Sequence, residues 1–61
     1  MKTIDVQFYG REEITTVLIS SIKYIQDEDM GDTINAILYF MDGTSQILNI
    51  NREKVKNLID R

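Results

Sequence analysis

The sequence predicts an α+β fold: a small antiparallel four-stranded sheet followed by one C-terminal helix packed on one face, in the order β-β-β-β-α. Three patterns predict it: alternating apolar residues near the N-terminus, an Asp-Gly pair between two apolar runs, and apolar residues at helical spacing near the C-terminus. A chain of 61 residues allows a single domain, 1–61, of marginal stability. Because the chain has no Cys or His, we expect a partner subunit, rather than disulfides or a structural zinc ion, to supply further stabilisation.

The first strand is indicated by strict alternation, since Ile4, Val6 and Phe8 point to one side and the residues between them to the other. A glycine followed by three charged residues then predicts a turn. The run Ile14 to Gln26 is rich in β-branched residues and favours a strand, with a break at Ser20-Ser21, where the hydroxyl groups can bond to the local backbone. One short helix in this run is the alternative, because its apolar residues also fit a helical period.

A hairpin around Asp42-Gly43 is the clearest signal. Two apolar runs, 33–41 and 44–50, flank this pair, which tolerates the positive φ angles of a type I′ turn. A two-residue loop would place Met41 opposite Thr44 and Ile37 opposite Leu48, and both faces of the hairpin would then be apolar. The residues that share one of these faces form the predicted partner or oligomer interface: Ile37, Tyr39, Met41, Leu48 and Ile50.

The C-terminal segment has the features of a short amphipathic helix. Asn51 is suited to the N-cap, and Val55, Leu58 and Ile59 form an apolar stripe at i, i+3 and i+4. A helix this short needs to dock on the sheet to be stable. Since it covers one face only, the second apolar face points to a dimer or to a bound partner.

Seven basic and ten acidic residues give a net charge of -3, so there is no general attraction to phosphate or anionic lipid. The charges are unevenly placed. An acidic run, predicted as an exposed loop from Asp27 to Asp32, and a basic group on the helix are the candidate charged contacts: Asp27, Glu28, Asp29 and Asp32, and Arg52, Lys54 and Lys56. The acidic run lacks the Glu that ends a calcium loop, because Leu38 stands at that place, so no metal site is expected.

Catalysis and cofactor binding are not expected. The commonest nucleophile-base pairs need Cys or His, no Gly-rich phosphate loop occurs, and the domain is too small to enclose a deep pocket. The longest apolar stretch, Ile14 to Ile25, is interrupted by polar residues and is shorter than the ~20 residues that cross a bilayer. With Asp5 inside what would have to be a signal core, we expect a cytoplasmic location.

Three segments together resemble the layout of the small FlbD-type bacterial flagellar regulators: Ile22-Lys23-Tyr24-Ile25, Thr33 to Thr44 with its Asp42-Gly43 pair, and Glu53 to Ile59. The resemblance implies a non-enzymatic cytoplasmic regulator that acts through protein contacts, and it carries over no functional residue. The same layout is similar to the end of LytTR-type DNA-binding domains, which are longer and more basic than this chain.

The sequence therefore favours a homo-oligomeric regulatory or adaptor protein that acts through protein-protein contacts. One alternative is a nucleic-acid-binding regulator that uses the basic C-terminal helix, with Tyr9, Tyr24 and Tyr39 as stacking surfaces. A second alternative is an inhibitor protein of a phage or mobile element, whose acidic loop occupies a basic site on its target.

Overall fold

The computed structural model describes residues 2–61 and has an α+β fold with five strands in two small antiparallel sheets and one C-terminal helix. The first sheet pairs β1 (Thr3–Gln7) with β2 (Ile14–Leu18). The second sheet contains β3 (Ile22–Asp29), β4 (Ile34–Phe40) and β5 (Ser45–Ile47), in that order, and the helix α1 is Arg52–Ile59. The predicted α+β class is confirmed, whereas the predicted single four-stranded sheet is wrong.

The difference arises at the break between β2 and β3. Ile19–Ser21 forms a 3-10 helix, and the Ser21 hydroxyl donates to the backbone oxygen of Leu18 (2.6 Å). The break predicted at Ser20-Ser21 is therefore confirmed, and the short helix given as the alternative is present only as this single turn within the break. Because the turn separates two strands that pair with different neighbours, the strand predicted from Ile14 to Gln26 is two strands in two sheets.

The two sheets meet where the chain leaves β1. Phe8 bridges to Leu48, Tyr9 N donates to Ile47 O (2.7 Å), and Asn49 N donates to Gln7 O (3.1 Å). The strands therefore follow one another in the order β2, β1, β5, β4, β3. In a flat sheet the outermost two would lie about 19 Å apart, yet one short 3-10 helix of ~2 Å rise per residue joins them. The sheets must consequently curl around a common core.

The turn at Asp42-Gly43 differs from the predicted type I′ turn. Gly43 has a φ of 92°, whereas Asp42 has a negative φ, and a type I′ turn needs positive φ at both residues. The Asp42 carboxylate accepts hydrogen bonds from the backbone N (2.9 Å) and the hydroxyl (2.7 Å) of Thr44. Phe40 N donates to Thr44 O, so three residues lie in the loop and Ile37 pairs with Ile47 instead of Leu48.

A tight two-residue turn does occur, between β3 and β4. Met30 N donates to Thr33 O (2.8 Å), and Gly31 has a φ of 98° at the first central position, the arrangement of a type II′ turn. The predicted acidic loop is therefore wrong. Asp27–Asp29 belong to β3, and Asp32 alone of the four acids lies in the turn.

The core lies between α1 and the inner side of the curled sheets, and its buried residues are Ile4, Val6, Val17, Ala36, Leu38, Leu48 and Val55. Val55 is fully buried, and Leu58 and Ile59 pack against the same cluster, which confirms the predicted stripe. The predicted N-cap is also confirmed, since the Asn51 side chain accepts a hydrogen bond from Lys54 N (2.9 Å).

Candidate protein-contact surface

The outer side of the strands, which points away from the core, carries three tyrosines. Tyr24 and Tyr39 are cross-strand partners in β3 and β4, and their ring centroids lie 4.8 Å apart with the rings tilted by 39°. Tyr9 lies opposite Ile47, whose partner in β4 is Ile37. Because cross-strand partners share a side of the sheet, these five residues form one surface, which we call the tyrosine face.

The tyrosine face combines exposed rings with a buried apolar centre. Tyr9 is 54% exposed and Tyr24 46% exposed, whereas Ile37 is only 8% exposed although it lies outside the core cluster. Its neighbours on the same side must therefore cover Ile37. Tyrosine offers a large apolar ring and a hydroxyl that can donate a hydrogen bond, and it loses little conformational entropy on binding.

Neutral polar residues surround this surface. The register puts Gln26, Asn35 and Ser45 on the outer side, and the Asn35 amide is buried and donates to Leu48 O (2.8 Å). Among the paired strand positions that the structure describes, the charged residues of this side are Asp5 and Glu28. Lys23, in the irregular part of β3, also places its Nζ 5.9 Å from the centre of the Tyr24 ring. Aromatic residues with neutral polar neighbours and few charges are typical of protein-protein interfaces.

The five residues predicted to share one face are divided between different places. Ile37 and Tyr39 lie on the tyrosine face, whereas Leu48 is fully buried in the core on the inner side and Ile50 packs against that core. Met41 lies in the turn and is 66% exposed. The predicted grouping is wrong because a shift of one residue in register moves the side chains of a strand to the opposite side of the sheet.

The predicted partner interface omits Tyr9, Tyr24 and Ile47, although the nucleic-acid alternative groups Tyr9 and Tyr24 with Tyr39. Two signals in the sequence indicate the turns that set the observed register of the strands. An Asp followed two residues later by Thr favours a turn in which the carboxylate bonds to the backbone, and Gly31-Asp32 is a pair typical of two-residue hairpins. Only contacts between distant parts of the chain bring Tyr9 to this surface.

The predicted charged contacts do not form two separate clusters. Arg52 Nε lies 3.2 Å from Asp27 Oδ1, and both side chains are about half exposed, so the pair links the start of α1 to β3. Glu28 points to the opposite side of β3 from its acidic neighbours, Asp27 and Asp29. Lys54 and Lys56, two residues apart on α1, also point in different directions. Across residues 2–61, no three acidic side chains are arranged to hold a metal ion.

Two exposed carboxylates have altered acidity. The two hydrogen bonds from Thr44 hold the pKa of Asp42 below its ordinary value. The pKa of Glu13 is also lowered, first by a hydrogen bond from its own backbone and then by the Arg11 guanidinium, which lies 3.2 Å away. Both groups stabilise loops at the ends of strands, and neither lies on the tyrosine face.

A groove of about 430 Å³ opens between the start of β1 and the end of α1, with Lys2, Ile19, Ile59 and Arg61 among its lining residues. Asp5 also lines it, and its carboxylate accepts a hydrogen bond from the Thr16 hydroxyl (2.6 Å). These two residues face each other across β1 and β2, so the contact is a cross-strand pair.

Within residues 2–61, no helix is long and apolar enough to cross a membrane. No protein-family model matches the chain, and neither a curated protein nor a solved structure matches it. The resemblance to FlbD-type regulators therefore stays a prediction.

Proposed function

We propose that this chain is a non-enzymatic regulatory or adaptor protein, that it acts through protein-protein contacts as a homo-oligomer, and that the tyrosine face holds its protein partner. The observation that carries the proposal is the grouping of Tyr9, Tyr24 and Tyr39 around Ile37 and Ile47 on a side of the sheets that α1 does not cover.

The chemistry of the surface favours a particular kind of partner. The exposed parts of Tyr9 and Tyr24 offer ~100 Å² each, whereas a stable interface takes about 800 Å² from each partner. The contact must therefore extend onto the exposed polar side chains around the rings, such as Gln26 and Ser45. The outer side carries Asp5 and Glu28, and the whole chain has a net charge of -3. We therefore expect a partner with an apolar patch surrounded by basic residues.

The positions of the basic residues favour this function over nucleic-acid binding. Stacking of bases on aromatic rings works together with a positively charged groove that follows the phosphates. Lys23 lies 5.9 Å from the Tyr24 ring, but Lys54 and Lys56 are on α1, and Arg52 is paired with Asp27. These basic residues therefore do not form a positively charged groove along the tyrosine face.

The test uses a photoreactive side chain on the intact protein in the cells that encode it. Tyr9 or Tyr24 is replaced by p-benzoylphenylalanine, which keeps an aromatic ring, and Lys56 is replaced in a control because it is exposed on α1. We expect irradiation to give heterologous protein adducts from the two tyrosine positions and none from the control. Adding Tyr24→Ser to the Tyr9 variant should weaken the adduct, whereas Tyr24→Phe should preserve it.

Two outcomes would contradict the proposal. Adducts from position 56 alone would place the contact on α1. Binding to nucleic acid that weakens steeply with salt and is lost with Lys54→Gln and Lys56→Gln would identify the first alternative function.

A further inference from the structure

The two edge strands of the curled sheets differ in charge. β3 carries Lys23 and the three acids Asp27–Asp29, and charged side chains on an edge discourage pairing with another chain. β2, at the other end of the strand order, has the sequence Ile-Thr-Thr-Val-Leu, with no charge, Pro or Gly. Such a strand has a high tendency to pair along its free edge.

The hydrogen bonds to β1 identify which backbone groups of β2 are free to pair. Ile19 N donates to Lys2 O (3.1 Å), and in an antiparallel pair the residues alternate between pointing toward and away from the neighbouring strand. Ile14, Thr16 and Leu18 therefore direct their N–H and C=O groups away from β1. Leu18 O already accepts from the Ser21 hydroxyl, and a carbonyl oxygen can accept a second hydrogen bond.

We propose that two copies of this chain form a dimer by antiparallel pairing of their β2 edges, with Thr16 of one copy opposite Thr16 of the other. The inference rests on the homo-oligomer in the proposed function but not on the tyrosine face. It names the surface through which the oligomer forms and leaves the tyrosine face of each copy open to a partner.

In this register the apolar side chains of the two β2 strands lie opposite each other. Ile14 lies opposite Leu18 of the second copy, and the reverse pair is formed at the other end of the strand. Ile14 is 63% exposed and Leu18 41% exposed in the single chain, and both lie on the outer side, so the pairing would cover apolar area of both copies. Three hydrogen-bonded residue pairs would supply about six backbone hydrogen bonds.

The first experiment is disulfide trapping. Residues 2–61 contain no cysteine, so Thr16→Cys gives one thiol per copy. Residues opposite each other in an antiparallel pair lie about 5.5 Å apart between Cα atoms, within the range that a disulfide spans. We expect mild oxidation to give a covalent dimer, whereas Gln46→Cys, exposed in β5 on the side of the sheet opposite to the tyrosine face, should remain largely monomeric. If the Thr16→Cys chain stays monomeric, or both variants cross-link equally, the proposal is wrong.

The second experiment measures the association without a covalent bond. Thr16 is exposed and its hydroxyl is bonded to Asp5, so Thr16→Lys retains a partner within the chain and should fold. It places two positive charges opposite each other across the dimer, and we expect the dissociation constant from sedimentation equilibrium to rise about tenfold or more. Gln46→Lys, which adds the same charge to an exposed position of β5, is the matched control and should leave the constant unchanged.

The two proposals fail separately. Loss of photo-adducts from the tyrosine face with an intact Thr16→Cys dimer would overturn the partner site alone. If Tyr24→Ser abolishes the dimer while Thr16→Lys leaves it unchanged, the self-association lies on the tyrosine face and the β2 pairing is wrong.

Discussion

Leu48→Ala should destabilise this domain severely, whereas Met41→Ala should have little effect. Leu48 is fully buried in the core, bridges to Phe8 between the two sheets, and donates its backbone N–H to Ala36 O (2.8 Å). A two-residue hairpin loop would instead put Leu48 on the same side as Ile37. The pair of substitutions therefore measures the register of β4 and β5.

The magnitude follows from the burial of the side chain. Leu48→Ala removes three carbon groups at about 0.8 kcal/mol each, and the cavity that remains brings the loss to about 3 kcal/mol. A domain of this length has a total stability of about 3–9 kcal/mol, so the variant loses a third or more of it. Met41 is 66% exposed, and its truncation should cost no more than about 0.5 kcal/mol.

Urea unfolding followed by far-ultraviolet circular dichroism is the appropriate assay. All variants should be compared at one protein concentration, because dimerisation adds a concentration-dependent contribution to the free energy of unfolding. The inward position of Leu48 is contradicted if Met41→Ala costs as much as Leu48→Ala, or if Leu48→Ala lies within about 1 kcal/mol of the original chain.

Three further predictions concern the turns and the helix cap. Gly43 has a φ of 92°, so Gly43→Ala should cost about 1–2 kcal/mol in urea unfolding, and an unchanged midpoint would show that the loop adapts freely. Asn51→Ala should cost about 1 kcal/mol and lower the helical signal at 222 nm, because Lys54 N loses its acceptor; equal signals would contradict the cap. The lowered pKa of Asp42 means that its ionised form stabilises the turn fully above about pH 4, and that this contribution is lost as the pH falls through the lowered value. An acid titration of stability should therefore become flatter in Asp42→Asn.

Local signals were sufficient for several elements. The alternation of Ile4, Val6 and Phe8 predicted β1 because one side of a strand must meet the core. Asn51 predicted the start of α1, since its side chain can accept from the first turn without help from the rest of the chain. Ser20-Ser21 predicted the break between β2 and β3 for the same reason.

The register of the second hairpin was not predictable from its apolar pattern. Ile37 and Leu38 are both apolar, so the pattern of β4 fits either register, and the choice depends on the hydrogen bonds that Asp42 accepts from Thr44. The wrong register also made the predicted grouping of interface residues wrong. Ile37 and Tyr39 were placed correctly on one side, but their apolar neighbours come from strands whose pairing the sequence pattern does not specify.

The two acidic residues before β2 affect the register in which two β2 strands would pair. Glu12 and Glu13 stand immediately before the strand, and the Glu13 carboxylate bonds to Arg11 in the same loop. Pairing about Thr16 keeps both acids beyond the last paired residue, whereas a slip of two residues toward the N-terminus would set Glu12 against Leu18 of the other copy. Only even slips keep the outer sides of the two copies together. The charges therefore disfavour a slip toward the N-terminus without closing the edge, in contrast to the acids within β3. A slip the other way would set Ile14 against Ser20, which lies in the 3-10 helix.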